Sequence, residues 1–147
     1  MICSKTKLKL KLVFSTGRYC IYKYGECPKG LTQGRVFWDD DNENNSNAKG
    51  GTLPGGVNRF INDTEIRFCC RNDSEINDPV LLPSKDPFFL LAYESAGCQM
   101  VKWAVASLEW IFFDTEHTCN KDRATGAYPY EAGLKHPTIY YCYYRGK

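Results

Sequence analysis

The segment KLKLKLVF (Lys7–Phe14) alternates strictly, with Leu8, Leu10, Leu12 and Phe14 on one face and lysines on the other. A period of two marks a half-buried strand. Short stretches rich in aromatic and β-branched residues follow: Tyr19–Tyr24, Gly34–Trp38, Glu65–Arg71, Pro87–Tyr93, Met100–Val105, Glu109–Phe113 and Thr138–Tyr144. Clusters of Gly, Pro, Asn and Asp separate them, as turns separate strands. Only Ala104–Trp110 reads as helical, and weakly so. The pattern predicts an all-β fold, a sandwich or a barrel-like domain. The lysine face of Lys7–Phe14 suits an anionic surface, but lysines also guard edge strands, and that plainer role is preferred.

The chain also repeats itself. RVFWDDDNENNSNAKGGTLPG (Arg35–Gly55) lies over WIFFDTEHTCNKDRATGAYPY (Trp110–Tyr130) without a gap, and TEIRFCCR then matches PTIYYCYY after a two-residue deletion. Asp39 meets Asp114, Gly51 meets Gly126, Pro54 meets Pro129 and Cys69 meets Cys142. Two copies in register argue for ordered loops and an approximate internal two-fold repeat. The halves run from about 19 to 71 and from about 88 to 145 within a single domain, 1–147, with 1–18 as an N-terminal strand extension.

Composition narrows the class. The length allows a real hydrophobic core. A net charge of +2 gives no ground for nucleic acid. No run is apolar for long enough to span a bilayer. The eight cysteines, Cys3, Cys20, Cys27, Cys69, Cys70, Cys98, Cys119 and Cys142, are spread along the chain. Without a C-x2-C pair, and with only two histidines, a disulfide framework in a secreted protein is favoured over zinc. Sequons at Asn44, Asn62 and Asn72 agree with secretion. The first residues lack the apolar stretch of a signal peptide, so the signal is expected to have been cleaved, or to lie in a longer precursor. Neighbours on a strand point to opposite faces, so Cys69 and Cys70 should reach two different partners. Analogy between the halves links Cys69 or Cys70 to Cys27, and Cys142 to Cys98. Cys3 and Cys119 have no counterpart and are left as a pair.

Candidate chemistry centres on the acidic-amide loop. No H-E-x-x-H, G-x-S-x-G or Cys/His signature appears, and an enzyme is not expected. Asp39, Asp41 and Glu43 alternate like the early ligands of a calcium loop. Asn44 stands where that loop requires Gly, and Gly50 where it requires Glu. An Asx-rich turn is therefore preferred, with calcium as the candidate ion and no cofactor required. For ligand recognition the candidates are Asp39, Asp40, Asp41, Asn44, Asn45, Asp114 and Glu116 with the aromatics Trp38 and Trp110, since glycan sites combine an aromatic plane with convergent polar groups. A single Trp is more often core than ligand site.

Several motifs follow in order: CIYKYGECPKGLTQG (Cys20–Gly34), FWDDDNENN (Phe37–Asn45), GGTLPGGV (Gly50–Val57), TEIRFCCR (Thr64–Arg71), LLPSKDPFFLL (Leu81–Leu91), CQMVK (Cys98–Lys102), FFDTE (Phe113–Glu116) and YYCYY (Tyr140–Tyr144). Together they resemble one family, the C-terminal domain of apextrin (ApeC). The resemblance covers Tyr19 to Tyr144; Cys119 stands where an amide or acid is more usual. It implies a secreted, typically invertebrate domain that acts in innate immunity by pattern recognition of microbial cell-wall glycans and muropeptides, with peptidoglycan and muramyl dipeptide as the ligand class. It also implies two alternatives: an extracellular-matrix or adhesion module, and a targeting or oligomerisation domain of a pore-forming, perforin-like protein.

Overall fold

The computed structural model of the chain describes residues 16–40, 47–57, 59, 63–115 and 119–147. Seven strands lie among them: β1 (Arg18–Tyr22), β2 (Thr32–Trp38), β3 (Thr64–Asn72), β4 (Phe88–Leu91), β5 (Ala104–Phe112), β6 (Arg123–Gly126) and β7 (Thr138–Gly146). They form one antiparallel sheet in the order β5-β7-β4-β1-β3-β2-β6. The fold is all-β, with the described strands in a single open sheet in place of two packed sheets. The sheet curls enough for Trp38, at the end of β2, to stack on Phe113, just after β5, with ring centroids 4.6 Å apart. The alternating segment Lys7–Phe14 falls outside the described residues.

Three strand expectations change. Only Ala104 and Val105 of the expected strand Met100–Val105 are in a strand, and they belong with Glu109–Phe112 to β5, while Val101 makes an isolated bridge to Val80. The helical reading of Ala104–Trp110 fails because those residues pair with β7 in continuous register. Ala, Leu and Glu favour a helix locally, but a nine-residue ladder overrides that preference. The short β6 was not foreseen; it exists because Arg123–Gly126 pairs with β2. Gly34 permits that pairing, since a Cβ there would overlap the Ala127 carbonyl oxygen.

The strand order is alike on both sides of the β1·β4 junction, although β6 intervenes in the chain between β5 and β7 and joins β2. β3 lies between β1 and β2, and β7 between β4 and β5. Gln33 faces Cys69 across one ladder, and Leu108 faces Cys142 across the other. Disulfides Cys27–Cys69 and Cys98–Cys142 tie the crossing loops to these central strands. Cys70 bonds to Cys20 on β1. Adjacent Cys69 and Cys70 thus reach two partners, as strand alternation requires. Cys119 is exposed and forms no disulfide among the described residues, while Cys3 lies outside them.

Two apolar clusters cover the two faces. Val36, Trp38, Phe68, Leu91 and Ile139 fill the inside of the curl. Tyr19, Leu90, Cys142 and Tyr144 fill the other face, under Val80, Leu82 and Val101. Each fully buried large side chain contributes roughly 1.5–3 kcal/mol. Gln99, 1% exposed, anchors the covering segment: its amide donates to the Asp78 carbonyl at 2.8 Å and its carbonyl accepts from the Arg18 N–H at 2.8 Å. Nearby, the buried Arg71 guanidinium donates to both oxygens of Asp73 at 3.0 and 2.6 Å. That pair holds the Asp73 carboxyl below its ordinary value, despite partial burial. Its stabilising effect is therefore full above the unfolded Asp value, about 3.9, and is lost as pH falls through the lower folded value.

Candidate functional site

The acidic-amide loop begins where β2 ends, and its first acids are used at once. Asp39 is 7% exposed. Its N–H donates to Asp122 Oδ1 at 2.6 Å, and its Oδ2 accepts from the Lys121 N–H at 2.9 Å. Asp122 in turn accepts from the Thr115 hydroxyl at 2.7 Å and the His136 N–H at 3.3 Å. The two loops that align in the sequence therefore meet in space and cross-brace each other. Asp40 Oδ2 accepts from the Thr64 hydroxyl at 2.6 Å and the Asn47 amide at 2.7 Å, and the Asp40 N–H donates to Asp63 Oδ1 at 3.1 Å.

Asp63 has the opposite electrostatics to Asp73. Burial first, then the neighbouring Asp39 and Asp40, raise its pKa, although the Asp40 N–H opposes this. A raised acid works against the fold once ionised, so that penalty is relieved as pH falls through the folded value.

The other candidates are scattered. Trp38 is 4% exposed and donates its indole N–H to the Ala132 carbonyl at 3.1 Å, so it belongs to the core. Trp110 is 65% exposed on β5, an edge strand among the described residues. Asp114 is exposed beside His136, whose Nδ1 accepts the Thr115 N–H at 3.1 Å. Asp41, Glu43, Asn44, Asn45, Asn62 and Glu116 lie outside the described residues. Of the calcium set only Asp39 is described, and its carboxylate already takes a main-chain N–H. Among the described residues no group of three or more His, Cys, Asp or Glu could hold a metal. Asn72 is exposed at the end of β3.

Beside this braced loop lies a cleft of about 780 Å³, lined by Tyr22, Tyr24, Asn47, Ala48, Lys49, Gly50, Thr52, Leu53, Pro54, Val57, Asp63, Thr64 and Ile66. Tyr22 and Ile66 come from the inner face of the sheet, where Tyr22 stacks on Phe68 at 5.5 Å. The Tyr22 and Tyr141 hydroxyls share a hydrogen bond of 2.9 Å. Burial, followed by that bond, drives the Tyr22 pKa far up, so the phenol stays neutral. Tyr24 is 74% exposed and offers an open ring. The size suits a ligand of two or three sugar or amino-acid units, and aromatic rings beside amide, hydroxyl and carboxylate groups suit one of mixed polarity. Tyr22, Tyr24, Asp63 and Thr64 were not among the sequence candidates. The available signal was the KYG and NDT motifs, which flank β1 and β3, the strands that border the loop.

The molecule so defined is a disulfide-braced all-β domain whose described strands form a single sheet, with a mixed aromatic and polar cleft beside its acidic loop. The chain belongs to the ApeC family, the C-terminal domain of apextrin, whose family model matches residues 2–144. Comparison with curated proteins and with solved structures gave no match. Among the described residues no helix is long and apolar enough to cross a membrane.

Proposed function

We propose that the domain is a secreted, non-catalytic recognition module that binds bacterial cell-wall fragments of the muramyl-peptide class in the cleft beside the acidic loop. The observation that supports this reading is the lining itself. Tyr24 and Tyr22 offer ring faces for a sugar or its acyl group, Leu53, Pro54 and Ile66 an apolar floor, and Asn47, Asp63 and Thr64 partners for amides and hydroxyls. Asp39 and Asp40 act behind the cleft, as braces. The three disulfides among the described residues suit an oxidising, extracellular compartment. Calorimetric titration with muramyl dipeptide, with calcium and with chelator, tests the reading. Tyr24→Ala removes an exposed ring and should leave the melting temperature unchanged. It is expected to weaken binding about 5- to 10-fold, the worth of one aromatic contact. Equal affinity in the variant places the ligand elsewhere.

A second reading, self-association, is favoured by β5. Among the described residues it is an edge strand of nine residues that carries one charge, Glu109, and exposes Val105, Leu108, Trp110, Ile111 and Phe112. Edge strands are usually short, or protected by lysine or proline. Antiparallel pairing with a second copy, centred on Leu108, sets Ala106 against Trp110, Ala104 against Phe112 and Val105 against Ile111. Glu109 then faces Ser107, so no like charges oppose. Analytical ultracentrifugation should show a dimer that Leu108→Lys converts to monomer. A wild-type chain that stays monomeric at its highest soluble concentration overturns this reading.

A further inference from the structure

The outer face of β3 and β2 carries a concentrated set of cations. Arg67 and Arg35 occupy directly opposed positions on the two strands. Like charges at opposed positions destabilise a sheet. Here both guanidiniums, with Arg59 from the preceding loop, converge on a single carboxylate. Glu65 lies 3.6 Å from Arg35, 3.3 Å from Arg59 and 3.4 Å from Arg67. The Glu65 side chain is 3% exposed, whereas the three arginines keep 45%, 50% and 40% of their side chains open. Arg35 Nε also donates to the Thr125 hydroxyl of β6 at 3.2 Å. One buried anion therefore gathers three cations and neutralises one of them.

The outward sides of Arg35 and Arg67 line a groove of about 420 Å³ with Lys23, Gln33 and Thr125. A merely solvated basic face lets its long side chains spread apart. In this one Glu65 holds the guanidiniums together from below, with excess positive charge left at the opening. Residues 65 and 67 point away from the face that carries Ile66 and Phe68, so this groove and the muropeptide cleft lie on opposite sides of β3.

We propose that this groove binds a tetrahedral oxyanion, a phosphate or sulfate group, carried on an extracellular polymer. Planar guanidiniums match such oxygens with paired, charge-assisted hydrogen bonds, and Lys23, whose ammonium also donates to the Gly25 carbonyl, adds a point charge. Thr125 and Gln33 supply neutral donors at the rim.

The experiment measures binding of the full chain to immobilised poly(glycerol phosphate) and to a sulfated glycan, over a series of salt concentrations. Binding to at least one polymer is expected, and the stronger arm identifies the source of the oxyanion. The double variant Arg35→Gln/Arg67→Gln leaves Arg59 to neutralise Glu65. It is expected to weaken binding about 10-fold or more and to flatten the salt dependence by about two ion contacts. Muramyl dipeptide titration of the same variant should be unchanged, which separates this site from the cleft. Lys102→Gln, an exposed change of charge elsewhere, should have little effect. A wild-type measurement does not depend on the variant folding: sulfate at matched ionic strength should displace the polymer better than chloride. Binding to neither polymer overturns the proposal. So do equal effects of Lys102→Gln and the double variant, or sulfate no better than chloride.

Discussion

Replacing Cys98 and Cys142 together by alanine is expected to lower the stability of the domain by about 4 kcal/mol, the entropy released when a loop of this length is opened. The bridge spans a sequence separation of 44 and ends on β7, the strand between β4 and β5. Cys142 is 1% exposed within the outer cluster, facing Leu90 across β4 and Leu108 across β5. Alanine avoids a buried hydroxyl at that point, so the loss measures the link more than a polar defect. Domains of this size hold a net stability of roughly 5–15 kcal/mol, so the change removes a large part of it. Urea unfolding followed by tryptophan fluorescence should show a clearly lower midpoint, with a slope no shallower than the wild type's because the opened unfolded chain exposes more surface. A loss under about 1 kcal/mol would mean that the outer cluster holds β7 in place without the bridge.

The strands that were legible in the sequence are those with buried faces. β3 alternates Ile66, Phe68 and Cys70 toward the inner cluster, and β7 carries Ile139 and Tyr141 on the same side. Burial imposed that period, and the period could be read back. β5 is exposed along nearly its whole length, so no burial pattern shaped AVASLEWIF, and its helix-favouring residues misled the reading. β6 is a strand only because β2 lies beside it. The cysteines divided in the same way. Alternation required two partners for Cys69 and Cys70, yet nothing local indicated that Cys20 faces Cys70 across β1 and β3. At the candidate site the acids were conspicuous, but their partners were not. Asp39 is braced by Lys121 and Asp122, more than 80 positions away, and a local pattern does not carry that information.

That bracing sets the second large effect. Asp39→Ala is expected to cost about 3 kcal/mol, because it strands the Lys121 N–H and cuts a charged hydrogen bond between the two acidic loops. Asp40→Ala should cost less, since Asp40 is only half-buried, though it frees the Thr64 hydroxyl and the Asn47 amide at the cleft wall. Changing Asp39, Asp40 and Asp41 together is therefore a poor probe of ligand binding: it disturbs the wall and any ligand contact at once. Thermal unfolding and muramyl dipeptide titration on the same samples separate the two roles. If the carboxylates are braces, Asp39→Ala lowers the melting temperature by several degrees and loses affinity only as the cleft loosens, while Tyr24→Ala loses affinity at constant stability. If Asp39→Ala abolished binding and left the melting temperature intact, its carboxylate would belong to the ligand, and the hydrogen bond from Lys121 would be incidental. The geometry favours the first outcome, because a carboxylate that is 7% exposed and already accepts a main-chain N–H has little left to offer a ligand.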